Sequence, residues 1–176
     1  MRVLLWITLT GGFALGGNLF VNDIKADLLD KDTKQVVGKI YEGTPITVIK
    51  DMGEMTLISI SGEVIEGDDH AVALKKEPLV LFYKLHNKKA APKAEFLISS
   101  KKLSDDGNGA WEEVELMYYD TCSSCHAAHK PKEHLMSEWA AYLLAMQTFA
   151  KINDEERDRL LRFLQAFAKD GIMKEQ

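Results

Sequence analysis

The clearest strand pattern in the first half of this chain is the segment VGKIYEGTPITVIKDMGEMTLISISGEVIEG, residues 37–67. Valine, isoleucine and threonine alternate with other residues in short runs, and glycines stand between the runs. A period of two is typical of strands with one buried face, and glycine favours the turns between strands. The segment therefore predicts successive short strands joined by turns.

The same pattern extends on both sides of this segment and then stops. Short runs rich in β-branched and aromatic residues continue from residue 36 to about 117, the last of them being WEEVELMYY, residues 111–119. From Asp120 onward glycine is absent until Gly171, and apolar residues recur at helical spacing. We therefore predict a small all-β barrel domain over residues 36–117 and a mainly α domain over residues 118–176.

Composition limits the function classes that need to be considered. The chain has 176 residues, of which 46% are hydrophobic and 28% charged, which is enough for one sizeable core or two small ones. Its formal net charge is −5. A nucleic-acid binder needs a basic surface to displace counterions from phosphates, so we expect no nucleic-acid partner.

The N-terminal segment, residues 1–21, reads as an export signal. Arg2 precedes an apolar stretch over residues 3–15, and Gly16 and Gly17 follow it. Residues 19–21 are also apolar, so the run is long enough to act as an uncleaved membrane anchor, and both readings stay open. The polar residues 22–35 are predicted to form a linker or a short helix. The export signal indicates a periplasmic protein.

The chain's only two cysteines occur in the sequence CSSCH, as Cys122 and Cys125, and His126 follows directly. Two intervening residues in a helical turn allow both sulfurs to reach the two vinyl groups of one porphyrin, and the next side chain then points at the iron. Haem attachment of this kind requires export, which the N-terminal segment supplies. We therefore predict one covalently attached haem c, with His126 as an axial ligand.

Two other readings of the cysteines are weaker. A structural zinc site could combine Cys122 and Cys125 with His129 and His134, but this spacing is shorter than the usual finger loop. A thioredoxin-like redox pair is expected at a helix N-terminus within a βαβ unit, whereas the region that follows here is helical and contains no later strand.

The sixth iron ligand is predicted to be Met146. His129 is too close to His126 to reach the opposite haem face, and the other candidates are His134, Met136 and Met173. His134 and Met136 need a tight loop, and Met173 follows the last helix. Met146 shares one apolar face of a predicted helix with Trp139, so this face is expected to cover the haem. The alternative is that Met146 only fills the core.

The last predicted helix has recognisable ends. Asn153, followed three residues later by Glu156, predicts a capping box at its start, and Gly171 predicts the C-cap. Leu160, Leu164 and neighbouring apolar residues form a stripe that is expected to be buried.

Two stretches of the sequence resemble known protein families. Residues 37–67 resemble bacterial Src-homology-3-like barrels. The second resemblance is to the C-terminal monohaem part of TorC cytochromes, which serve trimethylamine N-oxide respiration. It covers the preceding β unit and residues 119–170, YDTCSSCHAAHKPKEHLMSEWAAYLLAMQTFAKINDEERDRLLRFLQAFAKD. The resemblances imply an α+β multi-domain protein, in which a small Src-homology-3-like barrel is followed by a mainly α, class I-like cytochrome c domain.

The resemblance to TorC cytochromes also implies a function. The chain would be an electron carrier rather than an enzyme, passing electrons to a periplasmic molybdopterin-dependent N-oxide or S-oxide reductase. Longer family members carry a tetrahaem module that oxidises quinol. The sequence has one Cys-x-x-Cys-His motif and not five, so its electrons are expected from an upstream membrane quinol-oxidising cytochrome. Another periplasmic acceptor, or a haem-based sensor or binding module, remains the alternative.

Overall fold

The structure is a computed structural model that describes residues 18–75 and 80–173 of the chain. Ten strands precede the helices. The strands are β1 (Asn18–Val21), β2 (Lys25–Leu29), β3 (Val36–Tyr41), β4 (Pro45–Asp51), β5 (Met55–Ser61), β6 (Glu63–Ile65), β7 (Asp68–Ala73), β8 (Leu81–Leu85), β9 (Lys93–Ser99) and β10 (Leu103–Ser104).

All ten strands belong to one antiparallel sheet. Their spatial order is β10-β1-β4-β5-β9-β2-β3-β8-β7-β6. The longest ladder joins β5 to β9, with Met55 opposite Ser99 at one end and Ser61 opposite Lys93 at the other. Apolar side chains of the central strands, among them Ile58 and Ile98, are fully buried. Burial of such β-branched residues is what the period of two predicts.

Three helices follow the sheet: α1 (Glu112–Cys122), α2 (Met136–Ala150) and α3 (Asp154–Ala166). The predicted capping box of α3 is confirmed, because the Asn153 side chain accepts a hydrogen bond from the Glu156 N–H and the Glu156 carboxylate accepts one from the Asn153 N–H. The predicted C-cap is wrong: α3 ends at Ala166 with Phe167 as its C-cap, and Gly171 lies in the turn beyond.

The helices and the sheet share one hydrophobic core, and a buried ionic cluster joins them. Arg162 of α3 donates hydrogen bonds to the backbone oxygens of Glu42 and Leu81. Arg159 donates to both carboxylate oxygens of Glu42. Glu42 lies in the connection between β3 and β4, so this cluster fixes α3 against the sheet.

Gly43, next to Glu42, is required by this packing. Its φ is +69°, and a Cβ atom there would lie 2.0 Å from the Trp111 indole ring. Glycine is the residue that adopts positive φ at low cost and allows so close an approach. Trp111 in turn packs against Phe163 and Phe167 near the end of α3.

The predicted fold class is wrong. A ten-stranded antiparallel sheet with three short helices replaces the expected small Src-homology-3-like barrel followed by a mainly α, class I-like cytochrome c domain. Periodicity indicates strands but does not say which strands pair. Here β9 pairs with both β5 and β2, so distant segments join one sheet.

The run at residues 111–119 was predicted as a strand and is helical. Most of it lies in α1, where Val114 and Tyr118 are buried. Their separation of four residues fits a helix period, and the residues between them are not buried in alternation. Three glutamates in the first turn of α1 also interact favourably with the helix dipole. Residue 118, the predicted boundary, lies inside this helix.

The structure tests only part of what was predicted for the N-terminal segment, namely an export signal followed by a linker. The export segment lies outside the described residues as far as residue 17, and Asn18–Val21 form β1 between β4 and β10. The segment predicted as a linker or short helix contains β2, in which Ala26 and Leu28 are buried. The charged residues Lys25 and Asp27, which alternate with these two, kept β2 from being recognised in the sequence. Within residues 18–75 and 80–173, none of the helices has the length and apolar character needed to span a bilayer.

Candidate functional site

The Cys-x-x-Cys-His motif lies at the C-terminal end of α1. Cys122 is the last residue of the helix and is half-buried, whereas Cys125 lies in the following turn and is exposed. The Ser123 N–H donates to the Tyr119 carbonyl and the Ser124 hydroxyl to the Thr121 carbonyl. These two bonds close the turn that carries both sulfurs. The two cysteines do not form a disulfide with each other.

A cavity of about 590 Å³ opens beside this motif. Its walls come from the end of α1, the loop that follows, and α2, and they are mainly apolar. The lining residues include Cys122, Cys125, His126, Trp139, Met146 and Phe149. The volume lies within the range of about 300–1,000 Å³ that is usual for cofactor and small-molecule sites. The motif and the predicted sixth ligand therefore line one cavity.

One face of α2 leaves large apolar side chains uncovered at this cavity. Tyr142 and Met146 are each 46% exposed, and Phe149 is 76% exposed. Trp139, on the same face, is buried. Contiguous exposed apolar side chains in a soluble fold usually mark a surface that binds something. Trp139 and Met146 do share an apolar face of α2, as predicted, and this face lines the cavity.

The other predicted methionine candidates lie elsewhere. Met136 is fully buried at the start of α2, near the Lys75 ammonium and the Asp170 carboxylate, and it does not line the cavity. Met173 is partly buried against the core and does not line it either. Among the three methionines considered, only Met146 faces the cavity.

A loop of residues 126–135 connects the motif to α2, and two aromatic side chains hold it. The Tyr118 hydroxyl donates to the His129 carbonyl over 2.7 Å, and the Trp139 indole N–H donates to the Pro131 carbonyl over 2.9 Å. Tyr118 was not predicted to be a site residue. Its spacing of four residues from both Val114 and Cys122 was the signal that could have placed it beside the motif.

His129 and His134 also line the cavity. The His129 ring centre is 6.4 Å from that of His126, so the two imidazoles are neighbours, in agreement with the expectation that His129 stays close to His126. The His134 ring packs 4.5 Å from the Tyr142 ring and 5.0 Å from the Trp139 ring, measured between centres.

The electrostatics of the site do not favour a reactive thiolate. Burial raises the pKa of the Cys122 thiol. The C-terminal end of a helix carries partial negative charge, which also disfavours a thiolate, whereas redox-active cysteines use helix N-termini to lower their pKa. The Tyr118 pKa is raised by burial as well. A thioredoxin-like role is therefore disfavoured.

The four-ligand zinc site is not formed either. In the described parts of the chain, the cluster with suitable ligand atoms consists of His129, Glu133 and His134, and it includes neither cysteine. A hydrogen bond with His129 lowers the pKa of the Glu133 carboxyl.

Haem fits these residues better than zinc or a disulfide. Both thiols lie at the rim of an apolar cavity, and an imidazole and a thioether line it. The His126 Nδ1 lies 2.9 Å from the Ala127 carbonyl oxygen, which can only accept, so Nδ1 carries the proton and the Nε2 lone pair could bind a metal.

Comparison of the chain with protein-family models, curated proteins and solved structures finds no match.

Proposed function

We propose that this protein is an exported monohaem c-type cytochrome that transfers electrons and catalyses no reaction of its own. One observation carries the proposal: the Cys-x-x-Cys-His motif ends α1 at an apolar cavity whose far helix, α2, presents Met146 to it. Attachment of haem c takes place outside the cytoplasm, in keeping with the export signal predicted at residues 1–21.

Each site residue has a separate part in holding the cofactor. Cys122 and Cys125 would hold the porphyrin through thioether bonds, and His126 and Met146 would hold its iron. The hydrogen bond to Ala127 orients the His126 imidazole. Trp139 and Phe149 supply apolar surface against which the porphyrin would pack. Haem bound here supplies reversible one-electron exchange between ferric and ferrous iron.

Haem attachment is tested first. When the chain is made in cells with periplasmic haem maturation, we expect a denaturing gel to show a band that stains for haem-linked peroxidase activity. We expect the Cys122→Ala, Cys125→Ala double variant to lose the stain completely, because no other cysteine exists in the sequence. A Ser123→Ala variant, altered between the two cysteines at an exposed side chain that does not line the cavity, should keep it. An unstained wild-type band, or a stained double variant, contradicts the proposal.

The acceptor we propose is a periplasmic molybdopterin-dependent N-oxide or S-oxide reductase, and the donor an upstream membrane quinol-oxidising cytochrome. The resemblance of residues 119–170 to TorC cytochromes supports both. The exposed Tyr142 and Phe149 beside the cavity give a partner access to the haem edge.

Loss of the gene should stop growth on trimethylamine N-oxide or dimethyl sulfoxide as the sole electron acceptor, while the reductase protein remains present. In stopped-flow mixing, the reduced chain should be oxidised by the purified reductase. The rate should fall as salt screens the charged surfaces that steer the encounter. Normal growth of the deletion strain, or a reduced chain that the reductase does not oxidise, rules out this acceptor.

A further inference from the structure

Three potential metal ligands meet in the loop between the motif and α2. One ligand atom from each of His129, Glu133 and His134 lies within 4.8 Å of the other two. The His129 Nδ1 is already 3.0 Å from a Glu133 carboxylate oxygen. The side chains of His129 and Glu133 are exposed, and that of His134 is partly exposed, so an ion can reach all three from solvent.

The backbone that carries these ligands is held by the rest of the fold. The Tyr118 hydroxyl binds the His129 carbonyl, and the Trp139 indole binds the Pro131 carbonyl. Residues Pro131–Glu133 form one 3-10 turn, in which the Glu133 N–H donates to the Lys130 carbonyl. Tyr118 and Trp139 are both buried. The loop therefore has its shape before any ion binds, which lowers the entropic cost of binding.

The donor set suits a divalent transition metal. Two imidazoles and one carboxylate are ligands that Zn²⁺ accepts, with bonds of about 2.0–2.2 Å, so tetrahedral ligand atoms lie about 3.4 Å apart. In the structure the three ligand atoms lie within 4.8 Å of one another, so the exposed side chains of His129 and Glu133 would rotate to bring them to this spacing. Three protein ligands leave a fourth position for water, as in zinc sites that are not purely structural.

We propose that His129, Glu133 and His134 bind one divalent transition-metal ion of the Zn²⁺ type. The site goes beyond the proposed cytochrome function and does not rest on it, because it uses neither cysteine, nor His126, nor Met146. A bound ion would tie both ends of the 3-10 turn together next to the start of α2.

The proposal is tested by titrating Zn²⁺ into the purified full-length chain in a calorimeter, with buffer that does not chelate metal. We expect one site per chain, together with a rise in melting temperature as Zn²⁺ is added. Three variants each remove one ligand: His129→Ala, Glu133→Gln and His134→Phe. The phenyl ring of the last keeps the packing against Trp139 and Tyr142. Each variant should lose at least about tenfold in affinity.

His70→Ala is the matched control. His70 also has a carboxylate beside it, with its Nε2 3.3 Å from Asp69, but it belongs to no three-ligand cluster in the described residues. This variant should bind Zn²⁺ like the wild type. Absence of binding up to millimolar Zn²⁺, or equal affinity in Glu133→Gln and the wild type, overturns the proposal. Haem staining of the same samples separates this outcome from failure of the cytochrome proposal, since a stained chain without zinc affinity affects only the zinc site.

Discussion

Replacing Met146 with alanine should abolish the near-infrared band that a thioether sulfur bound to ferric haem produces. Met146 lines the cavity, whereas Met136 is buried away from it and Met173 does not line it. Loss of the thioether should also lower the reduction potential, because methionine ligation favours the ferrous state. The measurements are an absorption spectrum of the oxidised protein and a redox titration.

Leu144→Ala is the matched control for this variant. Leu144 is on the same helix, is 63% exposed and does not line the cavity, so its truncation removes a similar apolar side chain without touching the site. Its band and potential should equal those of the wild type. In Met136→Leu, a substitution of similar volume, the band should persist as well. A band that survives in Met146→Ala and disappears in Met136→Leu would show that Met136 is the ligand.

Glu42→Gln should cost about 3–5 kcal/mol of unfolding free energy, because it leaves the buried Arg162 without its counter-charge. Arg159, which is partly buried, would keep only its ion pair with the exposed Glu113. Glu42 is 2% exposed. Its carboxylate accepts a hydrogen bond of 2.7 Å from the Arg159 guanidinium and lies 3.6 Å from the Arg162 guanidinium. Burial lowers the pKa of Arg162 to about 10, so this residue is still charged at neutral pH. Tyr41 and Trp111 pack against its guanidinium.

The loss is measured by urea unfolding followed by circular dichroism. Asp27→Asn is the control, because it breaks an ion pair with Lys39 at the sheet surface, where both side chains are more than 40% exposed. Such exposed pairs contribute about 1 kcal/mol or less. If the unfolding free energy of Glu42→Gln equals that of Asp27→Asn, the ion pairs of Glu42 with Arg159 and Arg162 do not fix α3 to the sheet.

The sequence determined the features that depend on neighbours along the chain. The alternation in residues 37–67 gave strands, Asn153 and Glu156 gave the start of α3, and the face shared by Trp139 and Met146 gave a wall of the cavity. Each of these features depends on the spacing of apolar residues within one segment or on a hydrogen bond between residues close together in the sequence. The spacing of Cys122, Cys125 and His126 is local for the same reason.

Tertiary structure alone decided how these segments combine. Pairing of β9 with both β5 and β2 gave one sheet where a small barrel was expected, and α1 formed where alternation suggested a strand. Glu42 and Arg159 are 117 residues apart, and no local pattern indicates that they meet. Which strands pair and which charges meet depends on how the whole core is buried. A buried charge is costly unless a partner, here one distant in the sequence, neutralises it, and an open strand edge is a liability unless another strand pairs with it.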